Sequence, residues 1–193
     1  IEIVVKSTAG NPYFMEELVR LLIDDGIIRQ EGDRWLVEEE RLAVVRVPAS
    51  LEGVLQARLG GLTVSERELI RHAAIIGTVF WDEAAGHVSG QPGGASAAQT
   101  LQDLAGREMV FRRQRSSFNC AGEYIFKHSM LRDTAYQSIP RRERRALHAR
   151  AAGWLAAQYD GNGREGERAG QIAINFDLAG EAPAALDWYI RAA

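Results

Sequence analysis

The chain has 193 residues, 46% hydrophobic and 25% charged, with a net charge of −3. That length fits one large or two small domains, each able to bury a core, and the composition is that of an ordinary soluble protein. No apolar run approaches the roughly 20 residues needed to span a bilayer, so no membrane role is expected. A single cysteine, Cys120, excludes an internal disulfide and fits a cytoplasmic setting. The four histidines are scattered and show no zinc-ligand spacing.

The first six residues lack an initiating Met and any basic-then-apolar leader, so the sequence reads as part of a longer protein. Residues 1–8 have helix-compatible apolar spacing that Gly10-Asn11-Pro12 stops. Asn11 precedes a proline, which disfavours the α region, and Pro12 suits the first position of a new helix. Phe14, Leu18, Leu21 and Leu22 form its apolar stripe, Glu16 and Glu17 sit in its first turn, and Gly26 closes it. Residues 27–37 read as a small hairpin turning at Glu31-Gly32-Asp33, followed by an acidic loop, Glu38–Glu40.

Ser50 is a candidate N-cap for a second helix with Leu51, Val54, Leu55 and Leu59 inward, ended by Gly60-Gly61. Arg58 on that helix reads as a solvated charge rather than a phosphate ligand. Thr63–Glu66 is a capping box for a third helix with Leu69, Ala73 and Ile76 toward the core, punctuated by Gly77. Asp82 is expected to cap a short helix to Val88, and Ser89–Gly94 reads as a loop. Ser96 is expected to cap a further helix with Ala97, Leu101, Leu104 and Ala105 inward. Two strands, 109–114 and 123–127, follow, joined by a polar loop. His128 then marks the point where a strand gives way to a helix. This order of helices, a two-strand ribbon and another helix is that of a winged-helix module.

Beyond Pro140, a long helix carries Leu147, Ala151, Trp154 and Leu155 on one face, and Gly161-Asn162-Gly163 breaks it. Two shorter helices, about 168–179 and 183–193, look like the first unit of an α-solenoid. The fold expected is therefore mostly α with small β-hairpins. It divides into a helical, lid-type part over 1–62, a winged helix over 63–139, and the start of a tetratricopeptide-like array over 140–193. Charge is uneven: the net is −7 over residues 1–106, +7 over 107–150 and −3 over the remainder.

Gly10-Asn-Pro-Tyr-Phe-Met-Glu-Glu-Leu18 resembles the Gly-Asn-Pro-aromatic-aromatic-x-Glu-Glu-Leu segment of STAND-class signalling ATPases. These are AAA+-related modules attached to bacterial class III nucleotide cyclases, LuxR-type regulators and Ser/Thr kinases. Phe126–Tyr136, followed by Arg141–His148, is similar to the segment that leaves the winged helix and enters the tetratricopeptide array in the same proteins. The resemblance implies a nucleotide-binding core, a lid, a winged helix and helical repeats, with this chain beginning near the end of the core. The phosphate-cradling Gly-x-x-x-x-Gly-Lys-Ser/Thr loop is absent here, so no catalysis is expected from this chain alone, and no cofactor bound to it alone.

The resemblance places Pro12 against the adenine of ATP or ADP, which a parent protein would hold with magnesium. It places Asn11 in the adjoining turn, with nucleotide contact as its other role. It puts His128 on the β-phosphate of ADP, where an imidazole donates a hydrogen bond. Related proteins carry an acid after that histidine; here Ser129 takes its place. The partners implied are the upstream core and output domain of the same polypeptide, with protein partners for the repeats.

Two other functions compete: a DNA-binding winged-helix regulator and a helical scaffold. The basic run Arg141, Arg142, Arg144 and Arg145 could meet phosphates. The helix before the ribbon, however, carries Gln99, Gln102 and Asp103 and no cation until Arg107, which suits DNA poorly. Nucleic acid is therefore not the expected partner. These arginines are expected instead to pair with acidic surfaces of the same protein, because four cations in a first helical turn oppose the helix dipole.

Overall fold

A computed structural model describes residues 8–45, 47–90, 94–118, 121–159 and 165–193. It is mostly helical, with one two-stranded and one three-stranded antiparallel sheet among the described residues. The expectation of an α protein with small β-hairpins holds. The helical spacing expected over residues 1–8 falls almost wholly outside the described residues. The chain divides into two compact units, Ile1–Thr63 and Val64–Ala193.

In the first unit, α1 (Pro12–Asp24) packs on α3 (Leu51–Gly60), and the hairpin β1 (Ile28–Glu31)–β2 (Arg34–Val37) follows α1. Phe14, Leu18, Leu21 and Leu22, the apolar stripe read from the sequence, form the core together with Ile27 and Val54. Ser50 caps α3 by accepting from the Gly53 N–H at 3.1 Å. The segment expected as an acidic loop instead contains a short helix, α2 (Glu39–Val44). Its first-turn carboxylates, Glu39 and Glu40, lie at the positive end of the helix dipole, which favours them there. Arg41 from α2 donates to the Asp25 carbonyl at the end of α1, at 2.8 Å.

Arg58 corrects the sequence reading most sharply. It is 1% exposed. Its Nη1 donates to Glu17, itself buried, and its Nε donates to Asp24 at 3.0 Å. A guanidinium so far from water is tolerable only because two carboxylates meet its fork.

The second unit runs α4 (Val64–Ile76), β3 (Val79–Trp81), α5 (Asp82–Ser89), α6 (Gly94–Gly106), β4 (Val110–Arg112), β5 (Glu123–Phe126), α7 (Ser129–Gln137), α8 (Arg141–Ala157), α9 (Glu165–Ala179) and α10 (Ala182–Ala192). The strand order is β3-β5-β4. β3 was not anticipated: three residues are too few to show a period. It pairs Phe80 with Tyr124, while Val110 of β4 pairs with Phe126, and all four side chains are buried. Asp82 is the first residue of α5 rather than its cap, and α6 begins at Gly94, two residues before the serine expected to cap it.

The sheet closes over Leu69, Ile70 and Ile76 of α4, Ala84 and Val88 of α5, and Leu101 and Leu104 of α6. α8 packs on α4, α5 and α9, and α9 on α10. Trp81, Phe118 and Trp154 join strand, loop and long helix in one aromatic cluster, with ring centroids 4.7 Å apart for Trp81–Phe118 and 5.5 Å for Phe118–Trp154.

Candidate functional site

Asn11 and Pro12 open α1. The Asn11 Oδ1 accepts from the N–H groups of Tyr13 at 3.0 Å and Phe14 at 3.2 Å, so its acceptor is committed to capping the helix. Pro12 occupies the first turn, where its missing N–H costs nothing, and its ring is exposed. An exposed ring is what contact with a base requires.

His128 stands between β5 and α7, at the N-cap position and with extended backbone. It is half-buried, and its imidazole makes no capping bond to the helix. The first turn of α7 thus begins without a side-chain cap. Beside it, Lys127 is buried and paired with Glu108 at 2.9 Å, so that cation is already committed. A helix N-terminus lacking a side-chain cap, next to an imidazole, fits an anionic group. Asn11 and Pro12 belong to the first unit and His128 to the second, so neither unit assembles the expected nucleotide set by itself.

The basic run sits differently from expectation. Arg141 and Arg142 are exposed, Arg142 reaching Glu143 at 3.6 Å. Arg144 and Arg145 meet carbonyls instead of the expected acids. Arg144 donates to Ile139 (3.0 Å) and Gln137 (3.1 Å) at the end of α7 and lies over the Tyr136 ring. Arg145 donates to Ala179, the last residue of α9, at 3.2 Å. Two more arginines do the same: Arg150 to Val88 of α5 and Arg132 to Ala74 of α4, each at 3.0 Å. Helix C-termini expose carbonyls that have no partner within the helix, and the dipole there favours cations. Much of the positive charge concentrated over 107–150 is spent on capping neighbouring helices.

Two buried polar nodes escaped the sequence reading. His148 is 1% exposed. The Asn175 Nδ2 donates to the carbonyls of Ile76 and Gln171, which leaves its Oδ1 to accept from His148 Nδ1 at 2.9 Å. In the neutral ring that burial favours, His148 Nε2 accepts from the Tyr136 hydroxyl at 3.0 Å. The imidazole is neutral in this arrangement, and burial holds its pKa below the ordinary value, against the opposing bond to Asn175. The network ties α7, α8 and α9 to the end of α4.

Glu123 on β5 is the second node. Its carboxylate accepts from Arg113 at 2.5 Å, from the N–H and hydroxyl of Ser117 at 2.8 and 2.6 Å, and from the Trp81 indole at 3.2 Å. Burial pushes its pKa up, but Ser117, Arg113 and Trp81 together hold it below the usual value. The bonds in both nodes run between residues of the fold and tie its elements together. Among the described residues no group of three or more His, Cys, Asp or Glu could hold a metal ion, and no helix is long and apolar enough to cross a membrane. No protein-family model matches the chain, and no curated protein matches it.

Proposed function

We propose that this chain is the nucleotide-sensing and interaction portion of a STAND-type ATP/ADP switch, cytoplasmic, controlling an attached signalling output domain. The observation that carries the reading is the β5–α7 junction, where a half-buried His128 stands at the N-cap of α7 and does not spend its imidazole on capping that helix. The order helix, strand, helix, helix, strand, strand, with the last strand in the middle of the sheet, supports a winged helix as the element presenting that histidine. α1–α3 would serve as the lid, and α8–α10 as the entry to a tetratricopeptide-like array.

In the closed state, ADP on an upstream core would meet Pro12 at its base and His128 at its β-phosphate. Exchange for ATP would favour the released state by differential contact with the two conformations. Phosphoryl chemistry and magnesium belong to the core; this chain's residues bind, orient and report. Two measurements test the reading. The residues upstream in the parent protein should contain a phosphate-binding loop, and the parent should retain ADP. A parent with neither is a scaffold.

The DNA-binding alternative loses support from α6, whose exposed residues include Gln99, Gln102 and Asp103 and no Lys or Arg. A steep salt dependence in a gel-shift titration of this chain would restore it.

A further inference from the structure

The loop between β4 and β5 holds an exposed serine among arginines. Arg112, Arg113 and Arg115 stand four, three and one residues before Ser116, and residues 111–116 are all exposed. The ribbon's backbone pairing reaches Arg113, whose N–H donates to the Glu123 carbonyl at 2.8 Å; among the described residues, none ties down Gln114, Arg115 or Ser116. The Ser116 hydroxyl accepts from the Phe118 N–H at 3.2 Å and donates to no described group. Ser117 differs. It is half-buried, and both its hydroxyl and its N–H are bonded to the buried Glu123, so modifying it would strip donors from a carboxylate in the core.

We propose that Ser116 is a phosphorylation site for an arginine-directed serine/threonine kinase. Such an enzyme selects substrates by matching acidic groups in its groove to cations preceding the target hydroxyl, and this loop presents Arg112 and Arg115 on an accessible segment. In the transfer, Ser116 Oγ bonds to the γ-phosphorus of ATP. Its proton passes to the kinase's base, the bond to the β–γ bridging oxygen breaks, and ADP leaves. The product adds about −1.5 to −2 charge beside Arg112 and Arg115. Arg113 already serves Glu123. A basic loop tip thereby becomes nearly neutral, which changes the partners it can meet.

The test uses the intact chain, ATP and the catalytic subunit of a cAMP-dependent protein kinase as probe. One phosphoryl group is expected per folded chain, assigned to Ser116 by fragment-ion mapping and lost in Ser116→Ala. Arg112→Gln/Arg115→Gln, which leaves the Arg113–Glu123 pair intact, should lower kcat/KM about a hundredfold, the scale of two charge-assisted contacts. Phosphorus NMR should give the phosphoserine a lower second ionisation in the folded chain than in the folded Arg112→Gln/Arg115→Gln variant. Incorporation at Ser117 in the folded chain, none at Ser116, or full activity of the double variant would overturn the assignment. Equal ionisation in the chain and in that double variant would overturn the pairing with Arg112 and Arg115.

Discussion

Replacing Arg58 with Met should remove most of the stability of the first unit. The Arg58 and Glu17 side chains are 0% and 1% exposed, and Asp24 is 15% exposed. Taking away the guanidinium removes the cation that both the buried Glu17 and the half-buried Asp24 carboxylates face. Breaking a buried pair in this way costs about 3–5 kcal/mol, against roughly 0–1 for an exposed pair. At roughly 0.05–0.15 kcal/mol per residue, a unit of this size holds only about 3–9 kcal/mol in total.

Hydrogen exchange read on peptides from α1 and α3 is the suitable assay, because it reports this unit separately from the second. Arg58→Met should bring exchange there close to the unfolded rate. Combining it with Glu17→Met and Asp24→Asn should restore much of the protection, since the uncompensated charges are then gone. A loss below about 1 kcal/mol for Arg58→Met alone would refute the burial argument and return Arg58 to a solvated charge.

Gly180→Ala should destabilise the second unit by about 1–3 kcal/mol in urea unfolding, because two costs coincide there. Gly180 ends α9 at φ +78°, and a Cβ would collide with the guanidinium of Arg145, displacing it from the Ala179 carbonyl. The second unit should also weaken as pH falls. The folded pKa of His148 lies below its ordinary 6.5, so the unfolded chain binds the extra proton first, and stability is full above 6.5 and declines below it. Glu123, held below its ordinary 4.5, acts in the same direction in a second window beginning near that value. Urea midpoints should therefore fall between about pH 7.5 and pH 5.5 and again below about pH 4.5; a flat or rising profile would sink the assignment of a neutral His148.

Long periodic elements were legible in the sequence because amphipathic spacing over three or more turns admits one reading. α1 and α4 bury the stripes that their apolar spacing marked, and α3 buries Val54, Leu55 and Leu59 while Leu51 stays half-buried. β3 and α2 were not legible, having three and six residues and no period to show. Nor was the fate of the charges. Arg58 finds its carboxylates 34 and 41 residues away, and Arg145 its carbonyl 34 residues away. Nothing local distinguishes such an arginine from a solvated one.

The nodes at His148 and Glu123 were hidden for the same reason, since each assembles from several elements. His128 was legible as a junction because the side-chain period changes there from strand to helix. Its surroundings, half-buried and beside a helix start without a side-chain cap, needed the fold.

The most direct measurement is the rate at which ADP leaves the full-length protein, with and without His128→Ala. Loss of one hydrogen bond to a charged phosphate should speed release about ten- to hundredfold and raise basal output. The melting temperature of the 193-residue variant, measured alongside, separates a change in ADP contact from a change in folding. Unchanged ADP release from a variant that still folds would contradict the role of His128, and with it the reading of this chain as a nucleotide sensor.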